Sequence, residues 1–190
     1  KSHMLALYEK AAHSRGVALL GGASLLSLLQ ARIDCERAYA AMELAHAQKK
    51  SPDQVLVVTE MDHFMHVYEL FLHSISAMQR LPASEQDASV ALERCAVDWI
   101  ERASRALAQT AGLEASAGLY PLADDVWTHA LEQHPMHATA YLEAAQYFQR
   151  RDDDKRARQT YKAAMAKQGL DNKASIVAAW VAFEHARGSP

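Results

Sequence analysis

The chain holds few of the residues that punctuate a fold. Seven glycines and five prolines among 190 residues are too few for many short strands joined by tight turns, which excludes an all-β fold. The only cysteines, Cys35 and Cys95, provide no disulfide framework and no Cys-x-x-Cys zinc spacing, so both are expected to be buried or inert thiols in a reducing intracellular compartment. Apolar runs are short: Val55 to Val58, and Leu25 to Leu29 with Ser27 inside it, against the roughly 20 residues needed to cross a bilayer. No membrane partner is expected. Twenty basic and 23 acidic residues leave a formal charge of -3, and no large field draws a polyanion to the surface, so direct, nonspecific nucleic-acid binding is not expected. Gly-x-Ser-x-Gly elbows, Walker-type phosphate loops and Gly-x-Gly-x-x-Gly turns are also missing. The expectation is a protein that is not an enzyme, with no catalytic, cofactor-binding or metal residues.

Half of the residues are apolar and fewer than a quarter are charged, which is enough to bury a sizeable core and argues against disorder. The opening Lys1-Ser2-His3-Met4 has the look of a cloning scar, so residues 5–190 are read as a single all-α domain without an internal boundary. Apolar residues recur at three- and four-residue steps almost throughout. Helices are expected over about 5–13, 24–49, 53–80, 85–110, 138–149, 154–167 and 174–186, with a further one of irregular shape that contains Gly118 and Pro121 and runs to Gln133. Ser24 and Ser84 are expected as caps, and Pro52, Pro82 and Pro135 as stops or starts. Leu25, Leu29 and Ile33, together with Leu28, should line one face of the second helix.

Repetition at a fixed period carries more information than any single-residue motif. Ala123, Trp127 and Ala130 return as Ala157, Tyr161 and Ala164 at a constant spacing of 34, which is the tetratricopeptide period. Tyr141, Ala144, Ala145 and Phe148 fit that repeat's first helix, with Pro135 closing the preceding copy and Gly169 standing where the next proline would fall. A two-helix unit is too small to bury its own apolar face and must stack on its neighbours, so alanines mark close approaches and aromatics fill the remaining holes. The predicted architecture is a right-handed α-solenoid of antiparallel helix pairs, clearest over 120–188 and degenerate over 5–119, where Tyr39, Tyr68 and Trp99 are candidate first-helix aromatics.

The next copy is looser, with Trp180 at a spacing of 39 from Tyr141, and its pattern is Trp180-x2-Phe183-Glu184 followed by Gly188. This resembles the HAT (half-a-tetratricopeptide) repeat, and residues 123–188 are similar to the late HAT repeats of spliceosomal snRNP recycling factors. The resemblance implies a noncatalytic protein-interaction scaffold in nuclear RNA processing, in pre-mRNA splicing snRNP assembly or recycling, which pairs as a homodimer. Trp180 and Phe183, on a first helix whose second helix is not in the chain, are the candidate self-association surface.

Other patterns are weaker. A general tetratricopeptide adaptor that binds a peptide is the first alternative. Glu43 with His46 and Glu60 with His63 have the Glu-x-x-His spacing of di-iron bundles, with Glu36 and Glu93 as the lone glutamates such a site needs, so a di-iron enzyme is the second. His63, His66 and His73 lie close along one helix but lack a zinc motif. The run Arg150 to Arg156 mixes signs as solvated loops do, with Asp154 expected to cap the following helix.

Overall fold

The computed structural model describes residues 22–50, 56–78, 86–110 and 118–187. Seven helices make up the regular structure of these residues: α1 (Gly22–Lys50), α2 (Leu56–Met78), α3 (Gln86–Thr110), α4 (Tyr120–Gln133), α5 (Ala138–Arg150), α6 (Asp154–Ala166) and α7 (Lys173–Ala186). The expected helix over 5–13, the caps and stops at Pro52, Pro82 and Ser84, and Gly188 lie outside the described residues. Spatial proximity divides the chain into two compact units, Lys1–Asp124 and Asp125–Pro190, with the division inside α4.

In the first unit α1, α2 and α3 each pack against the other two. The apolar face of α1 is the one its spacing predicts, with Leu25, Leu29 and Ile33 buried and Leu28 half-buried. Ser24 does not cap α1, because the helix already begins at Gly22. Trp99 of α3 stacks on Phe64 of α2 with ring centroids 4.6 Å apart and meets Phe71 at 5.8 Å. Tyr68 is buried with this cluster, whereas Tyr39 faces out at 39% exposure.

In the second unit α5, α6 and α7 again pack each against the other two. Pro121 stands in the first turn of α4, where a missing N–H costs nothing. The phase of the repeat is visible in the helix starts. Tyr120 and Asp154 open α4 and α6 at a spacing of 34, and Ala138 and Lys173 open α5 and α7 at a spacing of 35. Ala123, Trp127 and Ala130 therefore occupy the same helix positions as Ala157, Tyr161 and Ala164, and all six are at most 1% exposed.

The longer step between α5 and α7 corrects the expected match of Tyr141 with Trp180. Tyr141 corresponds to Ile176 and Phe148 to Phe183, all four buried, while Trp180 corresponds to Ala145. The loop from α6 to α7 is two residues longer than the loop from α4 to α5, while α6 is one residue shorter than α4, so the net insertion is a single residue, in a loop and not in a helix. Gly169 in that loop has φ 94° and Asn172 has φ 37°. A proline's ring locks φ at about −65° and cannot take the shape that Gly169 has, which explains why the closing proline of the preceding copy has no counterpart.

Candidate interaction surface

The charged turn after α5 is where the second unit organises its surface. Asp152 takes a left-handed φ of 56°, which brings Asp153 and not Asp154 to the cap position of α6. Asp153 accepts from the Arg156 backbone N–H at 3.0 Å and pairs with the Arg156 guanidinium at 2.6 Å. These bonds, the backbone one first, hold its carboxyl below the ordinary carboxylate value against the opposing effect of burial. The expected cap at Asp154 is thus displaced by one residue. Asp154 instead meets Arg187, the C-cap residue of α7, at 3.2 Å, and Asp152 meets the same guanidinium at 2.8 Å. Arg187 also donates to the Gln149 carbonyl at 3.2 Å.

Arg158 is similarly committed. Its guanidinium grips Glu184 through Nε at 2.8 Å and an Nη at 2.9 Å and lies 5.3 Å from the centre of the Phe183 ring. The Trp180 indole N–H donates to the same carboxylate at 3.0 Å. The Arg158 bond, then the Trp180 bond, lower the Glu184 pKa. Lys162 remains exposed on α6.

Trp180 and Phe183, expected to face a second copy, turn inward. Trp180 stacks on Tyr161 with centroids 5.9 Å apart, and Phe183 is 5% exposed and 6.1 Å from the same ring. Tyr161 also accepts from the Gln149 side-chain amide at 2.7 Å; burial raises its pKa, and the Gln149 bond opposes that effect. The large apolar residues that α7 turns outward are Val177 and Val181, 43% and 62% exposed. They were missed because aromatic residues dominate the pattern, whereas helix phase decides which side chain points out.

A groove of about 710 Å³ runs between α5 and α7. Ala179, Ala182 and Ala186 pave its α7 side, with the Phe183 and Tyr161 rings reaching it. Gln146, Gln149 and Arg150 form its α5 wall, and Arg187 stands at one end.

Comparison of the chain with protein families, with curated proteins and with solved structures returns no match.

The remaining sequence candidates scatter. Glu36 is buried with His66 Nε2 3.8 Å from it, and Glu93 is fully buried on α3. His46 is exposed, and the side chains of Glu43, Glu60 and His63 lie outside those described. His73 is exposed and hydrogen-bonds through Nδ1 to the Glu69 carbonyl at 2.9 Å. Among the described residues no three His, Cys, Asp or Glu side chains come together as a metal site. No helix of the described residues is long and apolar enough to cross a membrane. Cys95 is half-buried and takes a contact from the Gln30 amide at 3.3 Å, and Cys35 is exposed, because its position on α1 lies off the Leu25, Leu29 and Ile33 face.

A contact between loops has no signature in the sequence. The N-cap residue of α5, His137, makes no side-chain cap bond. Asp171, in the loop between α6 and α7, takes its place. One carboxylate oxygen accepts the Ala138 backbone N–H, the other meets His137 Nδ1 at 2.7 Å, and the Asp171 N–H donates to the Met136 carbonyl at 3.0 Å. The loop that opens α7 thereby caps the helix that opens the repeat before it.

Proposed function

We propose that the chain is a noncatalytic protein-interaction scaffold, a stack of antiparallel helix pairs of the HAT and tetratricopeptide kind that self-associates. The observation that carries this reading is the return of helix starts at spacings of 34 and 35 with the same helix positions buried each time. A repeat that buries equivalent residues against successive neighbours is the economy of a stacked array. The three-residue turn between α5 and α6 favours antiparallel neighbours.

Self-association has separate support. Ten of the 14 residues of α7 are apolar, yet only Ile176 and Phe183 are fully buried. A helix that is apolar on all sides belongs between two layers, and Val177 with Val181 form the side left open. In this reading the second copy covers those valines, and Trp180 and Phe183 support them from behind. The setting in nuclear RNA processing, with RNA contacted through other domains or partners, rests on the resemblance of Trp180-x2-Phe183-Glu184 to the HAT pattern.

Multi-angle light scattering on the parent chain and on a Val177→Glu, Val181→Glu variant tests this. The expected result is a parent dimer and a variant monomer with the parent's helical circular dichroism. A parent that stays monomeric at high micromolar concentration, or a variant that still dimerises, overturns self-association through α7.

A further inference from the structure

The groove between α5 and α7 has a composition of its own. Its floor on α7 is three alanines at steps of three and four, Ala179, Ala182 and Ala186, with the Phe183 ring among them, so that face of the helix is apolar and low. The charged side chains that line it are Arg150 and Arg187, and no carboxylate lines it.

Arg187 is held in place before any ligand arrives. Nε faces Asp154, and one Nη faces Asp152 and the Gln149 carbonyl. The other Nη makes none of these bonds. Asp152 is 82% exposed at its side chain, so this pair is solvated and an incoming carboxylate can share the guanidinium at little cost. A fixed, planar donor is suited to carboxylate recognition because little side-chain freedom remains to be lost on binding. Arg150 stands exposed at the end of α5, and Gln146 adds an exposed amide beside it.

From Ala179 to Ala186 the floor runs seven residues, about 10 Å at the helical rise. That length matches about three extended residues of a peptide.

We propose that this groove binds a short peptide segment that carries carboxylates beside apolar side chains. The apolar side chains lie on Ala179, Ala182 and Phe183, and the carboxylates meet Arg150 and Arg187. The donors of the lining select this occupant, since two guanidinium groups and two amides beside an apolar floor of alanines and Phe183 fit carboxylates next to apolar side chains, and no carboxylate lines the groove to receive a basic ligand. The proposal rests on the reading of the chain as an interaction scaffold and adds a site and a ligand chemistry to it. The groove lies apart from Val177 and Val181, neither of which lines it.

The test is selection of a random peptide library displayed on phage against the full chain, followed by fluorescence polarisation with a labelled copy of the most enriched peptide. Enriched sequences are expected to pair Asp or Glu with apolar residues, and binding is expected to weaken as salt rises. Arg150→Glu is expected to weaken binding by more than about tenfold, and Ala182→Trp, which fills the floor from an exposed position, to abolish it. Both variants should keep the parent's circular dichroism and its light-scattering mass. The proposal is overturned by a selection that enriches nothing, by enrichment of basic or uncharged peptides, or by affinities that neither substitution moves. Displacement of the peptide by an equal concentration of oligouridylate overturns the choice of a peptide as occupant. Failure of this proposal leaves the light-scattering result standing, and a monomeric parent that binds acidic peptides overturns self-association while the groove remains.

Discussion

Arg158 on α6 and Glu184 on α7, 26 residues apart, form a two-armed pair in which Nε and an Nη each reach the carboxylate. The parallel bonds fix the angle between the two helices as well as their separation, because both the guanidinium and the carboxylate are planar. Trp180 adds a third donor, and Phe183 offers its ring to the guanidinium. Every member of the Trp180-x2-Phe183-Glu184 pattern thus touches either Arg158 or the Tyr161 ring. That gives the pattern a physical reason independent of any family likeness.

The first prediction concerns acid. The Glu184 carboxyl titrates below its ordinary value of 4.5 in the folded chain, so the unfolded chain takes up the proton first as pH falls. Its contribution is fully present above the ordinary value and is lost as pH drops through the lower folded value. Urea midpoints measured down this acid range should fall, and Glu184→Gln should remove part of that fall. A variant whose midpoint declines as steeply as the parent's rules out the coupling.

Ala164 is wholly buried, one repeat period after the equally buried Ala130. Ala164→Leu should overpack the contact and lower stability by about 1–3 kcal/mol, seen as a lower Tm by circular dichroism. A melt that superimposes on the parent's counts against close helix approach at this position.

Asp171→Ala removes the cap of α5 from outside the helix. A cost of about 1 kcal/mol is expected, as for the loss of an ordinary N-cap. Amide exchange should quicken at the start of α5 and less so at the start of α6, which Asp153 caps within its own sequence. Equal quickening at both helices argues against a local cap.

Phe183→Ala and Val181→Glu should separate packing from surface. The buried phenylalanine should cost about 3–5 kcal/mol on truncation, and the exposed valine within about 0.5 kcal/mol in the monomeric chain. Chemical denaturation of both at low concentration checks the pair. A Phe183→Ala chain as stable as the parent contradicts the burial of that ring.

The helices were legible because their signals are local. Pro135 and the Asp152 to Asp154 run mark the turns, and three- and four-residue apolar steps mark the faces, so Ala138–Arg150 and Asp154–Ala166 lie within a residue of the expected ends. The cap of α6 slipped from Asp154 to Asp153 because three consecutive aspartates offer three caps, and only the left-handed turn at Asp152 chooses among them. The buried alanines and aromatics of the repeat followed from its period. The match of Tyr141 to Trp180 did not, because aromatic identity carries no helix phase, and phase pairs Tyr141 with Ile176. Asp171 and the threefold engagement of Arg187 join residues far apart in the chain, and no local pattern announces such contacts. The groove is likewise a product of two helices brought side by side, with Arg150 and Arg187 on opposite sides of α6 in the order of the chain.

The cap that Asp171 supplies to Ala138 gives the second unit an order of completion. A ribosome delivers α5 and α6 before the aspartate that α5 needs, so during biosynthesis the start of α5 waits, solvated and uncapped, until 33 further residues have emerged. A truncation anywhere between Ala166 and Asp171 would spare every residue of α5 and α6 and still leave α5 frayed at its first turn.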